Sequence, residues 1–306
     1  MSAKGKVTRK PREKRAWYQA AFALGLNAWL PAWFQGRIFQ GQVKGVCVPA
    51  LNCYSCPSAM GACPIGALQT FLAGLRFNLS VAERKFGFYV VGALAAVGSV
   101  VGRMPCGWVC PFGFFQELLH RIPTPKVRLP HFLSYFRYVV LAATVVALPL
   151  LVVDEFGYGQ TWFCKWICPA GTLEAGLPLV LLNVNLRGLV GFMYYWKIGL
   201  LVLFAAWLVF SRRPFCRTVC PLGAVFGLFN KASFFRMAVD DQKCTLCDEC
   251  TKDCPVEMKI YESPNSPDCV RCLKCVSSCQ FGAVSYEFLG RREVARDLGV
   301  KSPISS

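Results

Sequence analysis

Residues 106–116 read CGWVCPFGFFQ and follow directly on an apolar run. Two cysteines stand four positions apart, and a proline comes after the second. Proline suits the first turn of a helix, where its missing N–H costs nothing. The thiolate just before it sits at the positive end of that helix, which favours the ionised, metal-binding form. Two thiolates fill only half of a four-ligand site, so Cys106 and Cys110 need partners from elsewhere in the chain.

A search for self-similarity supplies them. The pattern Cys-Pro-x-Gly occurs as CPIGALQTF from Cys63, CPFGFFQEL from Cys110, CPAGTLEAG from Cys168 and CPLGAVFGL from Cys220. In the last three copies a second cysteine lies four residues earlier, at Cys106, Cys164 and Cys216. In the first copy that position is Ala59, and Cys47, Cys53 and Cys56 lie nearby. One such pair could be packing; three with the same continuation point to metal.

Four apolar runs, 17–34, 86–104, 132–153 and 188–210, accompany the repeat. Each is close to the roughly 20 residues that cross about 30 Å of hydrocarbon. Only 17% of residues are charged, against about a quarter in soluble domains. The expectation is an all-α integral membrane domain with four transmembrane helices and an internal repeat. The basic head, 1–16, reads as a retained positive-inside segment. The run after it is too long for a signal-peptide core. Its neighbouring membrane helix argues against a nucleic-acid arm, and no nucleic acid is expected as a partner.

Threading from a cytoplasmic N-terminus puts Cys47 to Cys63 outside, and Arg103, Cys106 and Cys110 inside. Asp154, Glu155, Cys164 and Cys168 fall outside, and Arg212, Arg213, Cys216 and Cys220 inside. Loop charges agree with this orientation. Units two and four would then pool Cys106, Cys110, Cys216 and Cys220 into one inner 4Fe–4S site. Outside, Cys164 and Cys168 would join Cys63 and one of Cys47, Cys53 or Cys56. A competing arrangement gives Cys47, Cys53, Cys56 and Cys63 a cluster of their own and leaves Cys164 and Cys168 without a role. Parallel repeats about an axis normal to the membrane would bring such halves together.

Beyond residue 235 the character changes. Between Asp240 and Glu287 acidic residues outnumber basic ones nine to five, while the chain as a whole carries +17. Here CTLCDECTKDCP from Cys244 and CVRCLKCVSSCQ from Cys269 give two C-x2-C-x2-C-x3-C runs. In that arrangement three cysteines wrap one cubane and the fourth reaches the other cluster. Cys244, Cys247, Cys250 and Cys279 should hold one 4Fe–4S cluster, and Cys269, Cys272, Cys275 and Cys254 the second. Zinc gains nothing from two interleaved sets of four. The domain expected is a small α+β bacterial-type ferredoxin over 236–290, after a membrane domain over 17–235 and before a tail, 291–306.

Together these motifs resemble the polyferredoxin-like membrane 4Fe–4S family of the NapH/NosR type, from about residue 17 to 289. The resemblance implies electron transfer at the bacterial cytoplasmic membrane. The partners it implies are the quinone pool and other redox subunits, a cytochrome or an iron–sulfur protein. The third pair, Cys164 and Cys168, departs from the two pairs usual in the nitrate-reduction branch. The function expected is a membrane electron-transfer subunit, with a maturation reductase for a metalloenzyme as the alternative. Glu117, His120 and His131 are the candidate proton acceptors if quinol is oxidised. No glycine fingerprint for a nucleotide is present; GALAAVGSVVG, 92–102, reads as helix packing.

Overall fold

Each copy of Cys-Pro-x-Gly begins a helix in the computed structural model, which describes residues 11–75, 81–155 and 157–294. The first ten residues of the basic head and the end of the tail, 295–306, lie outside the described residues. In chain order the main helices are α1 (Pro11–Leu26), α2 (Pro64–Gly74), α3 (Val81–Val101) and α4 (Pro111–Leu119). They continue as α5 (His131–Leu151), α6 (Pro169–Leu182), α7 (Phe192–Phe210) and α8 (Pro221–Phe229). The cysteine ahead of α2, α4, α6 and α8 has the same extended backbone each time, with ψ between 109° and 127°. This uniform N-terminal geometry follows from proline at the first helical position.

The four-span expectation holds only in part. Two helices, α5 and α7, are long and apolar enough to cross a membrane. The first run, expected as one helix over 17–34, is broken. α1 starts upstream at Pro11 and ends at Leu26, where Asn27 bonds Ala23 O at 3.0 Å and Asn52 Oδ1 at 3.1 Å. Pro31 then opens a separate five-residue helix, Pro31–Gln35. A proline there could not have continued α1, because its ring would clash with the carbonyl four residues back. In α3 the described apolar part is Gly87–Val101, and α6 is an apolar helix that periodicity had not marked.

Four helices nevertheless join the same two layers of cysteines. α1 runs from Arg15, bonded to Gly107 O, to Asn27 beside Asn52. α3 runs from Tyr89, which accepts the Cys47 N–H, to Ser99, whose carbonyl takes the Phe234 N–H. α5 starts near Asp268, held by Arg137, and leads to the Gly159–Ala73 contact. α7 starts with Lys197 on Cys164 O and ends with Phe210 O on Val127 N. Their outward faces carry large apolar groups such as Trp17, Phe88, Phe132 and Val202, all more than 60% exposed. An apolar surface of that extent suits lipid rather than water.

The ferredoxin part has two short helices, α9 (Glu249–Asp253) and α10 (Lys274–Ser278), on an antiparallel sheet. β1 (Phe235–Val239) pairs with β2 (Val284–Phe288) in the register Phe235↔Phe288 to Val239↔Val284. A third strand, β3 (Arg291–Val294), adds to the free edge of β2 within the expected tail.

Buried arginines fasten this part to the helical part. Arg103, Arg137, Arg213 and Arg271 are at most 1% exposed. Arg103 donates to Pro267 O and Asp268 O, and Arg271 to Val101 O and Asn230 O. Arg137 and His131 both meet Asp268, and Arg217 pairs with Glu257. Arg103 and Arg213, expected among the charges of the inner loops, are buried in the protein interior. The backbone carbonyls of loops at this end supply the partners that water would otherwise supply. Gly98 in α3 packs on the Phe229 ring, as the packing reading of GALAAVGSVVG requires.

Glu117 closes this network, taking Arg15 and Arg213 at 2.8 Å each. Burial alone would raise its pKa, but Arg213 and Arg15 hold it down to about 2. Replacing Glu117 with Gln should leave two buried guanidiniums without a counter-charge and cost about 3 kcal/mol. Because the folded pKa is depressed, that advantage over the variant should be full above the ordinary carboxylate pKa and fade as pH falls toward 2. Melting temperatures of both proteins across that range check this; equal values at neutral pH would remove Glu117 from the stability argument.

Candidate iron–sulfur sites

Eighteen cysteines are all free thiols, and most of them fall into four groups. Cys106, Cys110, Cys216 and Cys220 are buried, and charge on Cys106, Cys110 or Cys216 raises the pKa of Cys220. This is the inner set. On the other side Cys53, Cys63, Cys164 and Cys168 interact in the same way. Of the three open candidates there, the fold brings in Cys53. Cys56 instead contacts Asn27 and Ser58, and the Cys47 N–H is taken by Tyr89. Neither interacts with another cysteine of that set.

In the ferredoxin part, Cys244, Cys247, Cys250 and Cys279 line one cavity of about 20 Å³. Cys254, Cys269, Cys272 and Cys275 line another of the same size, with Cys250 between the two. Both C-x2-C-x2-C loops carry left-handed residues at equivalent places, Leu246 and Asp248 in one, Arg271 and Leu273 in the other. None is glycine, and such a backbone persists only where its surroundings impose it. The repeated kink turns three thiols into a common hollow.

The glycine of Cys-Pro-x-Gly has a defined task. Its N–H points back at the thiol that starts the motif: Gly66 at Cys63, Gly113 at Cys110, Gly171 at Cys168 and Gly223 at Cys220, the last at 3.3 Å. At Gly113 and Gly223 a side chain would also be crowded by its surroundings. A Cβ on Gly113 would lie 3.0 Å from Cys106 O, and one on Gly223 would lie 2.7 Å from Arg103 Nη2. On Gly171 it would meet Cys53 Sγ at 3.5 Å, and on Gly66 Cys164 Sγ at 3.8 Å.

A further motif position escaped the sequence reading. Six residues after the motif cysteine stand Gln69, Gln116, Glu174 and Phe226. Gln69 Nε2 donates to Cys164 Sγ at 3.2 Å, and Gln116 Nε2 donates to Cys216 Sγ at 2.9 Å. Glu174 accepts the Cys53 N–H at 2.7 Å. In three units the same position therefore reaches across to a cysteine of the partner unit. Aligning the four copies to their sixth residue would have exposed it.

These sets fit cubane clusters. Burial pushes the Cys53, Cys63, Cys168 and Cys269 thiols up to about 12 and Cys254 to about 11, so as bare thiols they keep their protons. Bound iron replaces those protons and supplies the missing positive charge. Among the described residues no three His, Cys, Asp or Glu side chains converge as a single metal ion needs. A cubane holds its four thiolates apart across its own body. Around the inner set stand Arg103 and Arg213; around the outer set stand Lys197, whose Nζ donates to Cys164 O, and Glu174.

The sets form a continuous file. Leu51, 2% exposed, directs its N–H at the Cys110 thiol, and Cys53 of the outer set is two residues further on. The loop that carries them was expected at the outer edge of the membrane. It packs into the protein interior, with Ala50, Leu51 and Asn52 fully buried. At the other end of the inner set, a Cβ on Gly107 would lie 2.5 Å from Val270 O and 3.7 Å from the Cα of Cys272. Arg213 feels Cys110, Cys216 and Cys272 together. Cys275 in turn interacts with Cys250 of the remaining set.

A family model described as a 4Fe-4S binding domain matches residues 61–82, 84–130, 136–177 and 192–239. Each segment contains one copy of Cys-Pro-x-Gly, and together they cover more than half of the chain. An uncharacterized protein of Methanocaldococcus jannaschii is 32% identical over 62% of this chain and 74% of its own length. The ferredoxin-type protein NapH of Escherichia coli is 24% identical over 89% of this chain and 91% of its own. The regulatory protein NosR of Pseudomonas aeruginosa is 26% identical over 56% of this chain and 22% of its own. No solved structure matches. The chain belongs to the 4Fe-4S binding-domain family.

Changing Gln116 to Leu removes a donor aimed at Cys216 Sγ. Hydrogen bonds to cluster sulfurs tune potential, so the inner EPR signal should titrate tens of millivolts lower at unchanged iron content. Gly113→Val should instead lower iron by about four per chain, one cubane, leaving the ferredoxin signals in place. An unshifted potential in the first variant would make Gln116 purely structural.

Proposed function

We propose that this member of the 4Fe-4S binding-domain family is a membrane electron-transfer protein. It relays single electrons between the quinone pool or a cytoplasmic donor and a partner redox protein. The four cysteine sets would each hold one 4Fe–4S cluster, whose chemistry is reversible one-electron transfer. The observation that carries the reading is the contact of Leu51 with Cys110, two residues from Cys53. Two residues of chain span at most about 7 Å, so the outer and inner sets are separated by one short buried stretch rather than by a bilayer.

The chain's own residues do the remaining work. The cysteines hold; the motif glycines admit a close approach and direct N–H groups at sulfur. The sixth-position glutamines orient the partner unit's thiols. Ala50 and Leu51, each at most 2% exposed, keep water from the stretch between Cys53 and Cys110. In this proposal α1, α3, α5 and α7 cross the cytoplasmic membrane, with the N-terminus and the ferredoxin domain on the cytoplasmic side. His131 is tied to Asp268 and Glu117 to two arginines, which favours structural roles for both. His120 lines an open cavity, as Glu117 does, and the His131 side chain is 68% exposed.

Anaerobically purified protein should contain about sixteen irons, four for each of four cubanes; about eight would confine clusters to the ferredoxin domain and overturn the relay. Cys53→Ser should abolish the outer signal, whereas Cys47→Ser and Cys56→Ser should leave it. Positive surroundings stabilise the more negative reduced state. The inner set, beside Arg103 and Arg213, should accordingly titrate at a higher potential than the outer set. Quinol added to membranes should reduce the clusters promptly, and no reduction by quinol would remove the quinone pool as donor.

A further inference from the structure

A cavity of about 280 Å³ opens where α1 and α4 meet the ferredoxin domain. Six cations line it, Arg15, Arg121, Lys126, Arg212, Arg213 and Lys274, against two carboxylates, Glu117 and Asp253. Both carboxylates are already engaged, Glu117 by Arg15 and Arg213, and Asp253 by the Ser278 hydroxyl. Among the described residues Arg121 and Lys274 make no ion pair. The walls are therefore short of negative charge.

The interior of the cavity is polar in a second way. Gln116 is 0% exposed, and while its Nε2 serves Cys216, its Oε1 is buried without a hydrogen-bond partner. His120 Nδ1 is likewise buried and unpartnered. An occupant must offer hydroxyl donors as well as negative charge. Along the chain, exposed Trp17, Leu118 and Ile122 alternate with lining residues Ala16, Glu117 and Arg121. The apolar face meant for lipid thus reaches the cavity.

We infer that this cavity binds the head group of an anionic glycerophospholipid, a phosphodiester bearing a free hydroxyl. The phosphate sits among Arg121, Lys274 and Arg212, a head-group hydroxyl donates to Gln116 Oε1, and the acyl chains lie along Leu118 and Ile122. Basic pockets at the cytoplasmic end of membrane helices recognise such head groups. A neutral quinol ring would leave the surplus positive charge unmatched. The inference shares the membrane reading above and is independent of whether electrons cross between the cysteine sets.

The test uses the full chain with its clusters, released into the gas phase from nanodiscs of equal phosphatidylglycerol and phosphatidylcholine. Mass spectrometry should show phosphatidylglycerol retained in preference to phosphatidylcholine. Arg121→Gln with Lys274→Gln should lower that retention roughly tenfold, while Lys165→Gln, on the opposite side, should not. EPR signals matching the parent show that the variant is folded; if the double change loses them, Lys274→Gln alone is used. Equal retention of both lipids, or retention unchanged in the variant, overturns the proposal. Millimolar inorganic phosphate bound to delipidated protein, with no phosphatidylglycerol retained, overturns the lipid assignment in favour of a soluble anion.

Discussion

A thiolate taken out of water is stable only with positive charge beside it, and this condition governs how the chain is built. Cysteines from distant units meet in the interior, where burial holds their protons on. The cations then come from bound iron in the proposed clusters and from arginines that the fold carries inward. Arg103 and Arg213 are both buried beside the inner thiols. Their guanidiniums serve both the inner thiols and backbone carbonyls, and Arg103, through Pro267 O, also joins the two parts of the chain.

That double use explains the docking of the ferredoxin domain. A small two-cluster domain has little core of its own, and its acidic residues could have been a surface for another protein. Asp268 and Glu257 are instead spent within the chain, on Arg137, His131 and Arg217. Asn230, fully buried, completes the seam by donating to Ser266 O and Cys269 O while accepting from the Arg103 N–H. The seam adds directional bonds to the apolar core that runs across both parts, so it fixes the domain's orientation as well as its attachment. Gly107 against Val270 would have no room if that orientation drifted.

Spacing made much of this legible. The cysteine groupings came from the repeat and the two C-x2-C-x2-C runs, because ligand spacing is a local property. The first apolar run misled because hydropathy averages over Asn27 and Pro31, the residues that end the helix. The buried loop was invisible because Ala50 to Asn52 have no pattern of their own; their burial depends on Asn27, Leu26 and Cys110 from other elements. Arginines in the interior look, in sequence, like arginines at a membrane rim. What separates them is a set of backbone carbonyls no spacing announces. Gln69, Gln116 and Glu174 were legible in principle, since they repeat in register, but the repeat was read only as far as its glycine.

The buried loop also has an electrical consequence. Non-helical backbone at membrane depth is tolerated only when protein buries it, and on the topology proposed above this loop would bring the outer cysteines toward the middle of the low-dielectric layer. On the relay proposed above, an electron moving between the two sets traverses part of the membrane's voltage drop. A full crossing is worth about 2.3 kcal/mol per 100 mV, so this step carries a fraction of that. The position of Leu51 would then make the hop a voltage-sensitive one, favoured or opposed by the energised state of the membrane as much as by the difference in potential between the clusters.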